Sequence, residues 1–196
     1  HVERDQNGQE TLKENRDYIS IATTRPETML GDGAVAVHPD DQRYKKLIGK
    51  KVLLPLTNRE IPIIEDDYPD PEFGSGAVKI TGAHDFNDYE VAKRHNLDFF
   101  ILMDEAANLL NIHYIPEKYR GMDRFEARKV IVKDLEEQEL LLKVEKKKIV
   151  QPFGDRSKVV VEPYLTKQWF VDTKAIVRPA IDAVKDGRTK IFPERD

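Results

Sequence analysis

The sequence predicts an α/β (α+β) fold, a compact, β-barrel-like sheet decorated by short helices, on three observations. Alternating apolar segments are many and short, as at residues 34–37, 52–54, 61–64 and 77–81. Brief helical stretches interrupt them without regular βαβ spacing, which argues against a doubly wound sheet. The third observation is one dense stretch, Phe73 to His95, that reads as strand, sharp turn and helix start. The 196 residues suffice for one large domain, or one domain plus an appendage.

Taken in order, residues 1–16 are polar and charged and read as a solvated hairpin or lead-in. The chain starts at His1 rather than methionine, as an excised piece would. Residues 17–23 alternate as a strand and run into Thr23-Thr24-Arg25-Pro26-Glu27-Thr28, where Pro26 holds Arg25 extended or in a turn. The threonines and Arg25 thus stand at a strand end, either as ligand contacts or as capping chemistry of a turn. After Gly31-Asp32-Gly33 comes a strand at 34–37, closed by His38-Pro39. Asp40 or Asp41 caps a short helix ended by Gly49. Residues 52–54 and 61–64 are strands that Pro55 and Pro62 assign to edges or ends.

An acidic loop, 65–72, leads into the central stretch, and further strands are expected at 97–102 and 109–115. Asp123 and Glu126 open a helix to about Glu139, with Ala127, Val130, Ile131 and Leu135 on its inner face. Lys146, Lys147 and Lys148 form either a solvated face or a phosphate contact. Pro152, Gly154 and a strand at 159–161 then precede a helix around 176–185, restarted or kinked at Pro179, and a last strand at Ile191. The chain divides near residue 150, into a domain over 1–150 and a connecting segment over 151–196.

Composition narrows the function classes. With 39% hydrophobic and 35% charged residues, the make-up is that of a soluble globular protein. No apolar run approaches the ~18 residues of a membrane span, and no signal peptide is visible, so no membrane partner is expected. Zero cysteines exclude disulfides, thiolate zinc sites and cysteine nucleophiles, and suit a reducing cytoplasm. A net charge of −4 argues against a surface coated for nucleic acid, while leaving room for contacts to one nucleic-acid end.

The chemistry concentrates in the central stretch. Gly74, Gly76 and Gly82 permit tight turns, and Lys79, Thr81, His84, Asp85 and Asp88 gather about a turn before a helix. Asp85 and Asp88 suit N-cap and N3 positions and could serve only the helix. A cation, a hydroxyl and two carboxylates within ten residues also suit a small ligand carrying an ammonium and a hydroxyl.

Several separate motifs carry a resemblance. Thr23-Thr24-Arg25-Pro26-Glu27-Thr28, Ala36-Val37-His38-Pro39, Phe73-Gly-Ser-Gly-Ala-Val-Lys79 and Ala83-His84-Asp85 with Asp88-Tyr89 resemble, in order and spacing, the inserted editing (CP1) domain of the valyl-tRNA synthetases, class I aminoacyl-tRNA synthetases. Glu162-Pro163, Gln168-Trp169-Phe170 and Phe192-Pro193-Glu194-Arg195 resemble the segment where that chain returns to the synthetase body. The isoleucyl and leucyl relatives share the His-Asp helix start, but Arg25-Pro26-Glu27-Thr28 favours the valyl branch. One departure stands out: Gly82 occupies a position where proline is common, which implies a looser turn.

The resemblance implies hydrolytic proofreading of threonine mischarged onto tRNA(Val), an aminoacyl-tRNA deacylase activity in the cytoplasm. Its partners would be the threonine-bearing 3′ end of tRNA(Val) and the rest of the synthetase chain. No metal or cofactor is implied, since nothing resembles the HIGH or KMSKS signatures; ATP and Mg would belong to an aminoacylation site outside these residues. By analogy, Asp88 holds the α-ammonium, while Lys79, Thr81 and Asp85 shape the pocket and meet the threonine hydroxyl, Asp85 also orienting water. Phe73 walls the pocket or packs on the terminal adenosine. Arg25, Thr23, Thr24 and Thr28 line the opposite side, and His84 orients its neighbours. The competing readings are a noncatalytic tRNA-contacting module and a metal-dependent hydrolase using His84, Asp85 and Asp88 with His38 or His113, although that spacing matches no standard zinc pattern.

Overall fold

The computed structural model describes residues 18–190 and 192 in full, and the backbone of residues 2–4 and 10–12. The backbone gathers into two compact units, His1–Leu165 and Thr166–Asp196, so residues 151–165 fall in the first. In the lead-in, β1 (Val2–Arg4) pairs antiparallel with β2 (Glu10–Leu12), Val2 opposite Leu12.

The first unit is built on a mixed four-stranded sheet of β3 (Ala34–Val37), β4 (Lys51–Leu53), β5 (Glu60–Glu65) and β6 (Ala77–Ile80), in the order β4-β5-β3-β6. β3 runs parallel to β5 and antiparallel to β6. Pro62 lies inside β5, an interior strand rather than the expected edge. It is accommodated because pairing to β3 starts one residue later, at Val35 opposite Ile63. The mixed α/β class is as the sequence predicts, but among the described residues the sheet is open, not closed like a barrel.

The reason is that other segments expected as strands spend their backbone groups elsewhere. Among the described residues, Tyr18 to Thr23 makes no ladder. The Leu102 amide donates to a histidine ring, the Leu110 amide to Leu102 O, and Ile101 O accepts from the Tyr114 hydroxyl. Among the described residues, isolated bridges are what remain, at Met103 with Leu109, Asn108 with Asp123 and Phe153 with Val160. The helix expected after Asp41 is a run of turns instead: Tyr44 N donates to Asp41 O and Leu47 N to Tyr44 O, before Gly49 turns at φ +80. The strand expected at Ile191 lies outside the described residues.

Strand alternation divides β3 between two cores. Val35 and Val37 face the larger one with Leu30, Ile63, Leu102, Ile115 and Ile131. Ala34 and Ala36 face the smaller one, with Ile80, Val91 and Ala92, beneath helix α1 (Phe86–Arg94). The alanines let α1 lie close, and Gly82 completes the approach. A Cβ there would stand 2.6 Å from Ala92 Cβ and 3.0 Å from the Phe99 ring. Glycine therefore tightens this turn, where the motif comparison implied loosening. Helix α2 (Arg124–Glu137), capped by Asp123, buries Ala127, Ile131 and Leu135 and packs on the 3-10 turn Pro26–Gly31. In the second unit, α3 (Thr173–Lys185) is capped by Asp172 and runs continuously through Pro179.

Candidate functional site

The end of β6, the start of α1 and the turn before β3 bring the chemistry together. Gly33 N donates to Ile80 O at 2.8 Å, which staples the Asp32 turn to the end of β6. Lys79 and Thr81 fall on one side of the strand line, two residues apart. Lys79 Nζ donates to Thr81 Oγ1 at 2.5 Å, and the Thr81 hydroxyl in turn donates to Asp32 Oδ1. Lys79 Nζ also stands 3.5 Å from Asp32 Oδ1. Asp32 is buried, its Oδ2 has no hydrogen-bond partner among the described residues, and burial pushes its carboxyl above the usual range despite Lys79 and Thr81. Arg59 adds a further cation near it, held over the Phe100 ring and donating to Leu30 O at 2.6 Å.

The two helix-start carboxylates separate in role. Asp85, an exposed residue, is the cap: its Oδ1 accepts from Asn87 N and Asp88 N at 2.8 and 3.2 Å. Asp88 does not cap. It reaches back, and its Oδ2 accepts from Thr81 N at 2.8 Å, closing the turn onto α1. Asp88 is buried, and burial pushes its carboxyl up to about 6, outweighing the Thr81 amide and Lys79, with the charges of Asp85 and Asp32 adding to the rise.

His84 faces inward. Its Nε2 accepts from the Leu102 amide at 2.9 Å, which places the proton of a neutral ring on Nδ1. Burial first, then the Arg25 and Lys79 cations, lower it to about 4, so it stays neutral near pH 7. The His84 carbonyl accepts from Arg25 Nη1 at 2.6 Å, tying the threonine-rich segment to the same turn. Thr23 and Thr28 shape Arg25 itself: Arg25 N donates to Thr23 Oγ1, and the Thr28 hydroxyl donates to Arg25 O. Thr24 is exposed. Phe73 is 70% exposed and lies under Lys147 Nζ, 5.5 Å from the ring centre. Among the described residues, no hydrogen bond or ring contact joins Phe73 to the Lys79–Asp88 cluster.

Sequence reasoning missed Asp32, although a carboxylate flanked by glycines just before a buried strand was a signal. It also missed Glu162 as the carboxylate that Arg25 Nη2 donates to. Two surface depressions lie apart from the cluster, one lined by Asn111, Glu117, Arg120 and Gly121, the other by Pro39, Glu65, Asp66, Asp67 and Arg94. Among the described residues, no three His, Asp or Glu side chains converge as metal ligands would.

A family model for the editing domain of leucyl-tRNA synthetase matches residues 45–136. The valine--tRNA ligase of Clostridium tetani is 55% identical over 184 residues, covering 94% of this chain and 21% of that protein. That of Francisella tularensis is 56% identical over 184 residues, 93% of this chain and 20% of its own length. That of Ruegeria pomeroyi is 47% identical over 252 residues, 99% of this chain and 25% of its own. The chain thus spans 20% to 25% of the length of these curated relatives. The solved chain described as GlLeuRS-CP1 shares the fold, with a TM-score of 0.50 and 12% identity over 65% of this chain and 83% of that one. A mixed sheet ending in a polar strand–turn–helix, together with these matches, defines the class: this is an editing domain of the class I aminoacyl-tRNA synthetases. Within that class, the relatives to which the chain is 47% to 56% identical over nearly its whole length are valine--tRNA ligases.

Proposed function

We propose that this domain hydrolyses the ester linking threonine to the 3′ end of mischarged tRNA(Val), acting beside the rest of its synthetase chain in the cytoplasm. The observation that carries the reading is the convergence of Lys79, Thr81 and Asp32 in one hydrogen-bonded line, with Asp88 on the Thr81 amide.

Each group has bonding capacity left for a substrate. The Thr81 hydroxyl gives its proton to Asp32 and accepts from Lys79, which leaves one lone pair; Lys79 keeps further N–H donors. An alcohol both donates and accepts, so a threonine side chain can bridge Thr81 Oγ1 and Lys79 Nζ. Valine offers a methyl group instead, and would strip water from those groups without replacing its bonds. An unpaired buried polar group costs about 1–3 kcal/mol, or one to two decades of discrimination. The weak rejection of threonine by a valine-shaped apolar pocket is the standard illustration of why a second site is needed.

Asp88 presents Oδ1 to the α-ammonium, since Oδ2 holds the Thr81 amide. Asp85, whose Oδ1 serves as the cap, directs its other oxygen at the attacking water. His84 is not a base here: its Nε2 is occupied and its ring stays neutral. An ester is activated relative to an amide, so positioned water and electrostatic support suffice. The terminal adenosine contributes a ribose hydroxyl beside the ester, and Phe73 and Thr24, both exposed, are available to the nucleotide. No ATP, metal or other cofactor takes part in this step. The test is release of threonine from Thr-tRNA(Val) by the purified chain, with Asp88→Ala abolishing release while circular dichroism stays native. Tight tRNA binding without release would leave a noncatalytic contact module. Loss of release in EDTA would restore the metal-dependent reading.

A further inference from the structure

Five charged side chains form an alternating ladder behind the candidate site. Arg128 donates to both oxygens of Glu27 at 2.7 and 2.6 Å, and Arg25 Nε lies 3.7 Å from Glu27 Oε1. Arg25 Nη2 then donates to Glu162 Oε2, and Arg124 Nη1 lies 3.1 Å from Glu162 Oε1. Arg124 also donates to Val160 O at 3.1 Å, so it secures the backbone that presents Glu162. Four of the five are sheltered, with side-chain exposure 0% for Glu27, 6% for Arg124, 13% for Glu162 and 18% for Arg25, and Arg128 at the outer end is 27% exposed.

Among the described residues, its link to the reacting turn is Arg25 Nη1, which donates to the His84 carbonyl. That carbonyl belongs to the peptide that leads into Asp85, the cap on which Asp88 and α1 depend. The guanidinium of Arg25 is planar and rigid, so fixing Nη2 fixes the direction of Nη1. Glu162 comes from far along the chain, just before the first unit ends at Leu165.

We propose that Glu162 is a positioning residue of the proofreading site, its carboxylate holding Arg25 against the His84 carbonyl and thereby setting Asp85 and Asp88. The proposal rests on the deacylase reading above. Removing this carboxylate takes the acid partner from Arg124 and leaves Arg25 with Glu27, which Arg128 already holds through both oxygens. Arg25 then turns toward Glu27, and the bond to His84 O is weakened. A shift of the order of 1 Å at a catalytic turn is enough to cost ~100-fold in rate.

The experiment compares kcat and KM for threonine release by the full chain carrying Glu162→Gln, Glu162→Asp or Asp66→Asn. Asp66→Asn is the control for lost stability, because Asp66 accepts from Arg94 Nε and Nη2 at the opposite end of α1. We expect Glu162→Gln to lower kcat between ~10- and ~100-fold with little change in KM. Glu162→Asp should recover part of that loss, and Asp66→Asn should keep kcat at temperatures below its melting point. In an Arg25→Ala background, Glu162→Gln should have no further effect, since both act on one carbonyl. Equal kcat for Glu162→Gln and Asp66→Asn, or independent, multiplying losses with Arg25→Ala, overturns the proposal. If Glu162→Gln does not fold, Glu162→Asp with kcat unchanged overturns it alone. Failure of the unsubstituted chain to release threonine would instead strike the deacylase reading.

Discussion

Helix α1 has a buried carboxylate at each end, and the two are treated in opposite ways. At the C-terminal end, Asp66 accepts from Arg94 Nε and Nη2 and from Tyr68 N, and lies 2.7 Å from His95 Nε2. With the Arg94 bonds leading, its carboxyl falls to about 2. At the N-terminal end, Asp88 accepts one backbone amide and rises to about 6, while Asp32 beside it keeps an oxygen without a partner. The first carboxylate has a complete shell of donors and serves as a lock. The second pair is under-satisfied although buried, which costs stability unless a ligand supplies the missing donors. Under the proposed function, the difference separates a structural acid from a ligand-holding one by the donors already committed when both are buried.

Exchanging the charge at each end should separate the two roles most sharply. Asp88→Asn keeps an acceptor for the Thr81 amide and removes a buried charge, so its melting temperature should hold or rise while threonine release falls by ~100-fold or more. Asp66→Asn should do the reverse, losing about 1–3 kcal/mol of stability with release unchanged below its melting point. Thermal melts and single-turnover deacylation on the same two proteins check both. Parallel losses in both assays would erase the comparison.

The pH dependence sharpens it next. Asp88 is raised from 3.8 to about 6, so the folded state binds its proton more tightly than the unfolded chain does. Its stabilising contribution is present at low pH and is lost as pH rises through about 6. Asp66 is lowered from 3.8 to about 2, so its contribution is present above 3.8 and is lost as pH falls toward 2. Urea midpoints measured from pH 7 down to pH 3 should therefore rise first and then fall. Asp88→Asn should remove the rise and Asp66→Asn soften the fall. Threonine release should drop below about pH 6, where Asp88 becomes neutral and no longer attracts an ammonium.

A smaller effect is expected at the hydroxyl between them. Thr81→Val preserves shape but takes a partner from both Lys79 and Asp32. Stability should fall by about 1–3 kcal/mol, and preference for threonyl over valyl ester by about tenfold. Chemical denaturation and paired deacylation assays measure the two. An unchanged preference would move hydroxyl recognition away from Thr81.

Local chemistry made parts of this molecule legible beforehand. Asp85 and Asp123 announce their helices because a carboxylate before a helical run satisfies orphan amides, and both caps form. Ala77 to Thr81 and its turn were readable for the same kind of reason, alternation followed by small residues. The segments at 97–102 and 109–115 were not, because their partners are side chains and distant carbonyls rather than a neighbouring strand. Asp32 and Glu162 escaped for a related cause. Each gains its meaning from a contact across the chain, to Thr81 and to Arg25, that no local pattern announces. Asp88 was found, but as a residue that either caps a helix or holds a ligand; only its turn back to Thr81 separates it from Asp85.

The most direct measurement is the ratio of first-order deacylation rates for threonyl and valyl esters of the same tRNA, taken with the enzyme in excess. If Lys79, Thr81 and Asp32 select for an alcohol, the threonyl ester is cleaved at least about tenfold faster. Equal rates for both esters, in a chain shown to bind each charged tRNA, would contradict the account.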